Sequence, residues 1–274
     1  MRAALFQMTS GIDPAANADA LAAAVAEAKA GGAAMLFVPE MAGLLDSDRA
    51  RSAAHVVAEA DDPVLARVCE AAAAAGLWVH IGSLALAGGD GGRRVNRGFV
   101  IDDGGAIRAR YDKMHLFDVD LPSGESWRES AAYAPGAGPV TVATPWGVLG
   151  LSICYDLRFP DLYRALTDAG ATMLAVPAAF TVPTGQAHWH VLLRARAIEA
   201  GAFVIAAAQA GTHQDGRRTY GHSLVVDPWG AVVLDAGERP GLAYADIDPA
   251  QAAAVRARVP AIRHRRAIGP VTAA

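Results

Sequence analysis

The sequence predicts an α/β protein in which helices cover a large mixed β-sheet. Short apolar runs alternate with alanine-rich amphipathic stretches along the chain. The pairs Asp13-Pro14 and Asp62-Pro63 stand where amphipathic stretches begin. Gly-, Pro- and Asp-rich turns, such as Asp103-Gly104-Gly105 and Pro228-Trp229-Gly230, separate the β-like runs.

In chain order, Ala3 to Met8 reads as a strand. Asp13 can cap a helix whose first turn tolerates Pro14, with Leu21, Val25 and Ala28 on its buried face and Gly31-Gly32 at its end. Ala33 to Val38 is a continuous apolar run, as a buried strand requires. A second helix runs from Asp62-Pro63 to near Gly76, and Leu77 to Leu86 is the next strand. Asn96 to Asp102 and Ala106 to Tyr111 predict a hairpin. Asp112 to Pro139 has prolines, glycines and charges but little periodicity, which predicts a long functional loop. Strands at Val140 to Ala143 and Gly147 to Ile153 follow, then a helix from Pro160 to Ala169. A strand at Thr172 to Val176, a helix at Ala187 to Ala200 and a strand at Phe203 to Ala208 come next. His222 to Val226 and Ala231 to Leu234 predict a last pair. With no internal repeat and no low-complexity linker, residues 1–274 read as one domain.

The bulk properties narrow the function. The chain has 274 residues, 53% hydrophobic and 19% charged, which fits a folded soluble protein able to hold its core without disulfide or metal. A formal net charge of -4 gives no reason to expect nucleic acid, and the basic stretch Arg256 to Arg266 reads as a solvated or subunit-contacting tail. The most apolar stretch, Ala71 to Ala87, contains Gly76, His80, Gly82 and Ser83, and reads as helix then strand instead of a membrane span. The first residues turn polar too soon for a secretory leader. The 2 cysteines, Cys69 and Cys154, make no disulfide framework. A cytoplasmic location is expected.

Cys154 ends an apolar strand and begins a charged turn before a helix, in Leu151-Ser152-Ile153-Cys154-Tyr155-Asp156-Leu157-Arg158-Phe159-Pro160. Such a turn exposes a side chain, lowers a thiol pKa and offers backbone N–H groups to an oxyanion. A buried structural cysteine is the other reading, and Cys69, among apolar neighbours in a helix, reads as core. Glu40 closes Leu36-Phe37-Val38-Pro39-Glu40, at the strand end where α/β proteins place reactive groups. Lys113 begins the long loop and Glu129 lies later in it. Taken singly, these three read equally well as solvated surface charges.

Together the segments resemble the nitrilase superfamily, the carbon-nitrogen hydrolases. Phe37-Val38-Pro39-Glu40, Tyr111-Asp112-Lys113-Met114-His115-Leu116-Phe117 and Ile153-Cys154-Tyr155-Asp156-Leu157-Arg158-Phe159-Pro160 carry the resemblance. Gly185-Gln186-Ala187-His188-Trp189, Arg194 to Glu199, Tyr220-Gly221-His222-Ser223 and Val226-Asp227-Pro228-Trp229-Gly230 extend it. The resemblance implies a four-layer α-β-β-α sandwich and a homodimer or larger assembly built on the helices after Cys154. It implies Cys154 as nucleophile, Glu40 as general base, Lys113 as oxyanion stabiliser and Glu129 as a second positioning carboxylate. The backbone N–H of Tyr155 would complete the oxyanion hole, with no metal and no organic cofactor.

The loop His115 to Pro122 with Glu129-Ser130 resembles the amidase branch that includes ω-amidases and deaminated glutathione amidases. Thr184 to Trp189 and Ala206 to Gly211 are more similar to the latter. The expected substrate is a small-molecule terminal carboxamide beside an α-keto acid, releasing ammonia. A carbamoylase, an acyltransferase and a non-catalytic binding module are weaker alternatives. His190 stands where that branch has an acid, which leaves fine substrate preference open. Arg158 could meet a substrate carboxylate, whereas Arg194 and Arg196 fit scaffold pairing with Asp156, Asp161 or Glu199. Zinc held by His188, His190 and Cys154 is disfavoured, because residues two apart on a helix point in different directions.

Overall fold

A computed structural model describes residues 1–120, 124 and 126–273, so the match at Leu121-Pro122 lies outside the described residues. The chain opens with strand β1 (Arg2–Gln7), helix α1 (Pro14–Ala30), β2 (Met35–Phe37) and the short α2 (Arg49–Ala53). Helix α3 (Pro63–Ala75), β3 (Trp78–Ala87), β4 (Arg94–Ile101) and β5 (Ile107–Asp112) follow. The expected helix signals operate as read. Asp13 Oδ1 accepts from the Ala15 N–H at 2.9 Å, Asp62 Oδ1 accepts from the Leu65 N–H at 2.7 Å, and Gly76 ends α3 at φ 58°.

The segment read as an aperiodic loop contains a small hairpin, β6 (Asp118–Asp120) with β7 (Ser126–Arg128). Its alternation is too short to register as periodicity. Then come β8 (Val140–Thr144), β9 (Gly147–Leu151), α4 (Pro160–Asp168), β10 (Met173–Ala175), α5 (Val182–Ala200) and β11 (Phe203–Ala206). A second hairpin pairs β12 (Ala210–Thr212) with β13 (Arg218–Tyr220). Strands β14 (Leu224–Val226), β15 (Val232–Asp235) and β16 (Gly241–Asp246) and helix α6 (Ala250–Arg258) complete the order.

The strands do not form the single large sheet expected from the alternation of elements. They form two six-stranded sheets, ordered β16-β1-β2-β3-β4-β5 and β15-β14-β11-β10-β9-β8. Each sheet has three adjacent parallel strands (β1-β2-β3 and β9-β10-β11), an antiparallel strand on one side and two on the other. The same arrangement therefore occurs twice, with no repeat visible in the sequence.

Side-chain alternation sorts the layers. In β1 and β2, Ala3, Leu5, Met35 and Phe37 pack in the core shared with the second sheet. Ala4, Leu36 and Val38 pack with Leu21, Val25 and Val68 of α1 and α3. Helices α4 and α5 cover the second sheet through Leu162, Leu166, Leu193 and Ala197. The result is the α-β-β-α sandwich that the resemblance implied. Two smaller expectations change. Cys69 is half-buried instead of core. Arg256 is not a solvated tail residue, since its guanidinium donates to the carbonyls of Ala171, Ala200 and Gly201.

Candidate active site

Three strand ends meet at one place. Glu40 follows β2 and Lys113 follows β5, both in the first sheet, while Cys154 follows β9 in the second. All three side chains are buried. The Cys154 backbone is held at φ 50°, a left-handed conformation costly for a non-glycine residue, with its N–H donating to the Pro177 carbonyl at 2.9 Å. Met41, directly after Glu40, has φ 57°. Strained backbone thus adjoins both the carboxylate and the thiol.

Lys113 Nζ donates to Glu40 Oε1 at 2.8 Å and to Glu129 Oε2 at 2.9 Å. Glu40 Oε1 also accepts from Asn96 Nδ2 at 3.0 Å, and Oε2 from the Ala179 N–H at 3.0 Å. The Cys154 thiol lies beside the same carboxylate. Glu129 is fixed by the Phe117 N–H at 2.6 Å and by Asn96 at 3.2 Å. The four groups singled out in the sequence therefore converge.

Asn96 was missed in the sequence. It lies within β4, where one polar side chain in an alternating strand gives no sign of facing the buried Glu40–Lys113–Glu129 cluster. Asp156 was read only as an arginine partner. The structure instead gives it the Tyr111 hydroxyl at 2.7 Å, His115 Nδ1 at 2.7 Å, and the His115 and Ile153 N–H groups at 3.0 and 2.9 Å. It ties the lysine segment to the cysteine turn. The expected arginine pairing holds for Arg196 with Glu199 at 2.8 Å, but Arg194 donates to the Gly230 carbonyl.

Charge states follow from the surroundings. Burial alone would raise the Glu40 carboxyl, but the Lys113 ammonium, the thiol and Asn96 outweigh it and hold it below the usual glutamate range. Burial alone would lower Lys113, but Glu129 and Glu40 hold it well above its ordinary value. Burial and the Glu40 carboxylate push the Cys154 thiol well up, against a smaller pull from Lys113. This corrects the expected exposed, low-pKa thiol. The helical turn after Cys154 spans only Cys154–Arg158, too short to offset burial beside a carboxylate. The resting site is thus carboxylate, ammonium and neutral thiol.

A pH signature follows. Alkylation of Cys154 by iodoacetamide, followed on its peptide, should show no inflection near the free-thiol value of about 8.5. An inflection there would mean an independently ionising thiol. Glu40 has a depressed value, so its stabilising contribution is present above the unfolded value and lost as pH falls through the folded one. The acid limb of kcat/KM is accordingly expected below the ordinary glutamate range.

The trio lines a cavity of about 450 Å³, together with Arg49, Arg94, Arg128, Arg158 and Arg217. Arg158 faces the rings of Tyr155 and Phe180 at 5.9 and 5.6 Å and pairs with no carboxylate among the described residues. His188 Nδ1 lies 3.4 Å from Arg158, whereas His190 turns to Asp235. The two histidines point apart, as their spacing predicted, and do not join Cys154.

The sequence profile of the carbon-nitrogen hydrolases spans residues 2–257. The chain belongs to the carbon-nitrogen hydrolase family. It is 50% identical over 179 residues to the deaminated glutathione amidase of Synechocystis sp. (strain PCC 6803 / GT-S), covering 65% of this chain and 66% of that protein, just under two thirds. Against the human deaminated glutathione amidase it is 41% identical over 267 residues, 96% of this chain and 81% of that one. The structure of Saccharomyces cerevisiae Nit3, a member of branch 10 of the nitrilase superfamily, superposes with a TM-score of 0.85 at 28% identity. That likeness covers 95% of this chain and 94% of Nit3. This member of the carbon-nitrogen hydrolase family thus has the nitrilase fold.

Proposed function

We propose that this carbon-nitrogen hydrolase cleaves the amide of an α-keto acid derivative through a thioester on Cys154, with deaminated glutathione as the favoured substrate. The observation that carries the reading is Glu40, which accepts a hydrogen bond from Lys113 and stands beside Cys154 at one wall of an arginine-lined cavity.

In the proposed cycle Glu40 takes the thiol proton as sulfur attacks the amide carbon. Lys113, already charged, donates to the developing oxyanion with the Tyr155 N–H. Protonated Glu40 then passes its proton to the departing amine. Water, deprotonated by Glu40, cleaves the thioester. Glu129 holds Lys113 in place throughout. With deaminated glutathione the scissile bond is a secondary amide, not the terminal carboxamide expected above, and the departing amine is cysteinylglycine instead of ammonia. With α-ketoglutaramate, the ω-amidase substrate, it is ammonia.

The arginines support an anionic substrate, and the names of the Synechocystis and human relatives support the choice among such amides. The cavity is in the size range that binds molecules larger than a simple amide. A panel of deaminated glutathione, α-ketoglutaramate, a simple aliphatic amide, an N-carbamoyl amino acid and a nitrile tests the reading, scored by amine or ammonia release. Preference for deaminated glutathione supports it; preference for α-ketoglutaramate moves the assignment to an ω-amidase. Turnover of none rejects the substrate reading.

Arg158→Gln is expected to raise KM for keto-acid amides by about 10–100-fold, the size of a lost charge-assisted hydrogen bond, with little change for a neutral amide. An equal effect on both would remove Arg158 from substrate recognition. Chelators are expected to leave turnover unchanged, and strong inhibition would bring catalytic metal back into consideration.

We further read residues 1–274 as one catalytic domain, since β16 closes back onto β1, and as a cytoplasmic enzyme. No helix among the described residues is long and apolar enough to cross a membrane. A homodimer or larger assembly is proposed on the α5 face, where Val191, Ile198, Trp229, Val232 and Val233 are exposed. Sedimentation of wild type and Trp229→Asp tests this, with a monomeric wild type as the opposing result.

A further inference from the structure

We propose that His190, His222 and Asp235 bind one divalent transition cation of the zinc class, at a site separate from the catalytic cavity. The three residues come from different elements. His190 lies within α5, His222 just before β14, and Asp235 at the end of the edge strand β15. None of them lines the catalytic cavity.

His190 Nε2 lies 3.0 Å from Asp235 Oδ2, and His222 Nδ1 lies 2.9 and 3.2 Å from Oδ1 and Oδ2. The three donor atoms all lie within 4.8 Å of one another. A tetrahedral zinc ion with bonds of about 2.0–2.1 Å sets its ligand atoms roughly 3.3 Å apart. Two edges of that tetrahedron are thus nearly in place, and the third, between imidazole nitrogens within 4.8 Å of each other, would close by rotation of the imidazoles. Two imidazoles and one carboxylate suit zinc and its neighbours, whereas calcium and magnesium prefer all-oxygen shells. The fourth position is left for water. Side-chain exposures of 33%, 19% and 34% for His190, His222 and Asp235 give the ion an entry path.

The ligands are also oriented from outside. His222 sits at φ 57°, its N–H donating to the Gly237 carbonyl at 2.7 Å and its own carbonyl accepting from Trp189 Nε1 at 2.8 Å. The Tyr220 ring stacks on the His222 imidazole at 4.4 Å, and the Gly237 N–H donates to Asp235 Oδ1 at 2.9 Å. Such outer contacts fix ring and carboxylate direction in metal sites. On binding, each imidazole releases the proton on its facing nitrogen or shifts it to the other ring nitrogen. The ion would rivet α5 to the sheet edge. His190 supplies one of the two imidazoles.

Calorimetric titration of the chelator-treated full chain with zinc sulfate tests the site. One saturable equivalent per chain is expected, weakened about 10–100-fold or more in His190→Ala and in Asp235→Asn, and retained in Cys154→Ala. Cobalt(II) should give the visible absorption of tetrahedral coordination in wild type and not in His190→Ala. Zinc should raise the melting temperature of wild type and of Cys154→Ala, and not that of His190→Ala. Equal zinc binding by wild type and His190→Ala, loss of binding in Cys154→Ala, or no saturable binding would each overturn the proposal.

Discussion

Replacing Cys154 with alanine is expected to lower turnover by about 10⁴-fold or more on every accepted amide, while the protein stays folded. The thiol stands beside the Glu40 carboxylate, and a thioester requires its sulfur. The structural cost is small. Removing one buried sulfur costs about 1 kcal/mol, a shift of roughly 2–4 °C in Tm for a chain of this size. Mass spectrometry of a quenched wild-type reaction should show an acyl group on the Cys154 peptide, absent from the variant. Near-wild-type turnover by the alanine variant would exclude the thioester route.

The second large effect is expected from Lys113→Met. Loss of the oxyanion donor should cost about 10²–10³-fold in kcat. It should also destabilise the fold by roughly 3–5 kcal/mol, because Glu40 and Glu129 would be left together with no buried cation between them. Asn96 Nδ2 reaches one oxygen of each carboxylate, so the two are close enough to repel. One must then take up a proton with a raised pKa. The sign is definite: a carboxyl with a raised folded-state value is stabilised below that value, so the variant should gain stability as pH falls. Lys113→Met with Glu129→Gln should recover stability but not turnover, which separates the two roles of the lysine. Turnover close to wild type in the single variant would place the oxyanion elsewhere.

The proposed catalytic residues were legible because each ends or follows a strand, in segments whose order resembles one family. Glu40 could be placed at the end of an apolar run, and Cys154 at a strand-to-turn boundary, from local pattern alone. The thiol's state could not. It depends on burial beside a carboxylate that lies 114 residues earlier in the chain, numbering from Glu40 to Cys154. The division into two sheets was hidden for a similar reason, because strand composition does not name a strand's neighbours. β16, with its half-exposed residues, carried too weak a pattern to be seen. Asn96 and Asp156 act through long-range hydrogen bonds, and a single polar residue in an apolar setting does not announce its partner.

The doubled strand arrangement makes activity a gauge of alignment between the two halves of the protein. Glu40 and Lys113 hang from one sheet and Cys154 from the other, so sliding the sheets past each other separates the proposed base from the proposed nucleophile while leaving each sheet whole. A misplacement of about 1 Å can cost a hundredfold in rate. Repacking at the seam, at Phe37 or Leu151 for example, should therefore silence the enzyme before it melts either half. During denaturation, the loss of turnover should run ahead of the loss of secondary structure.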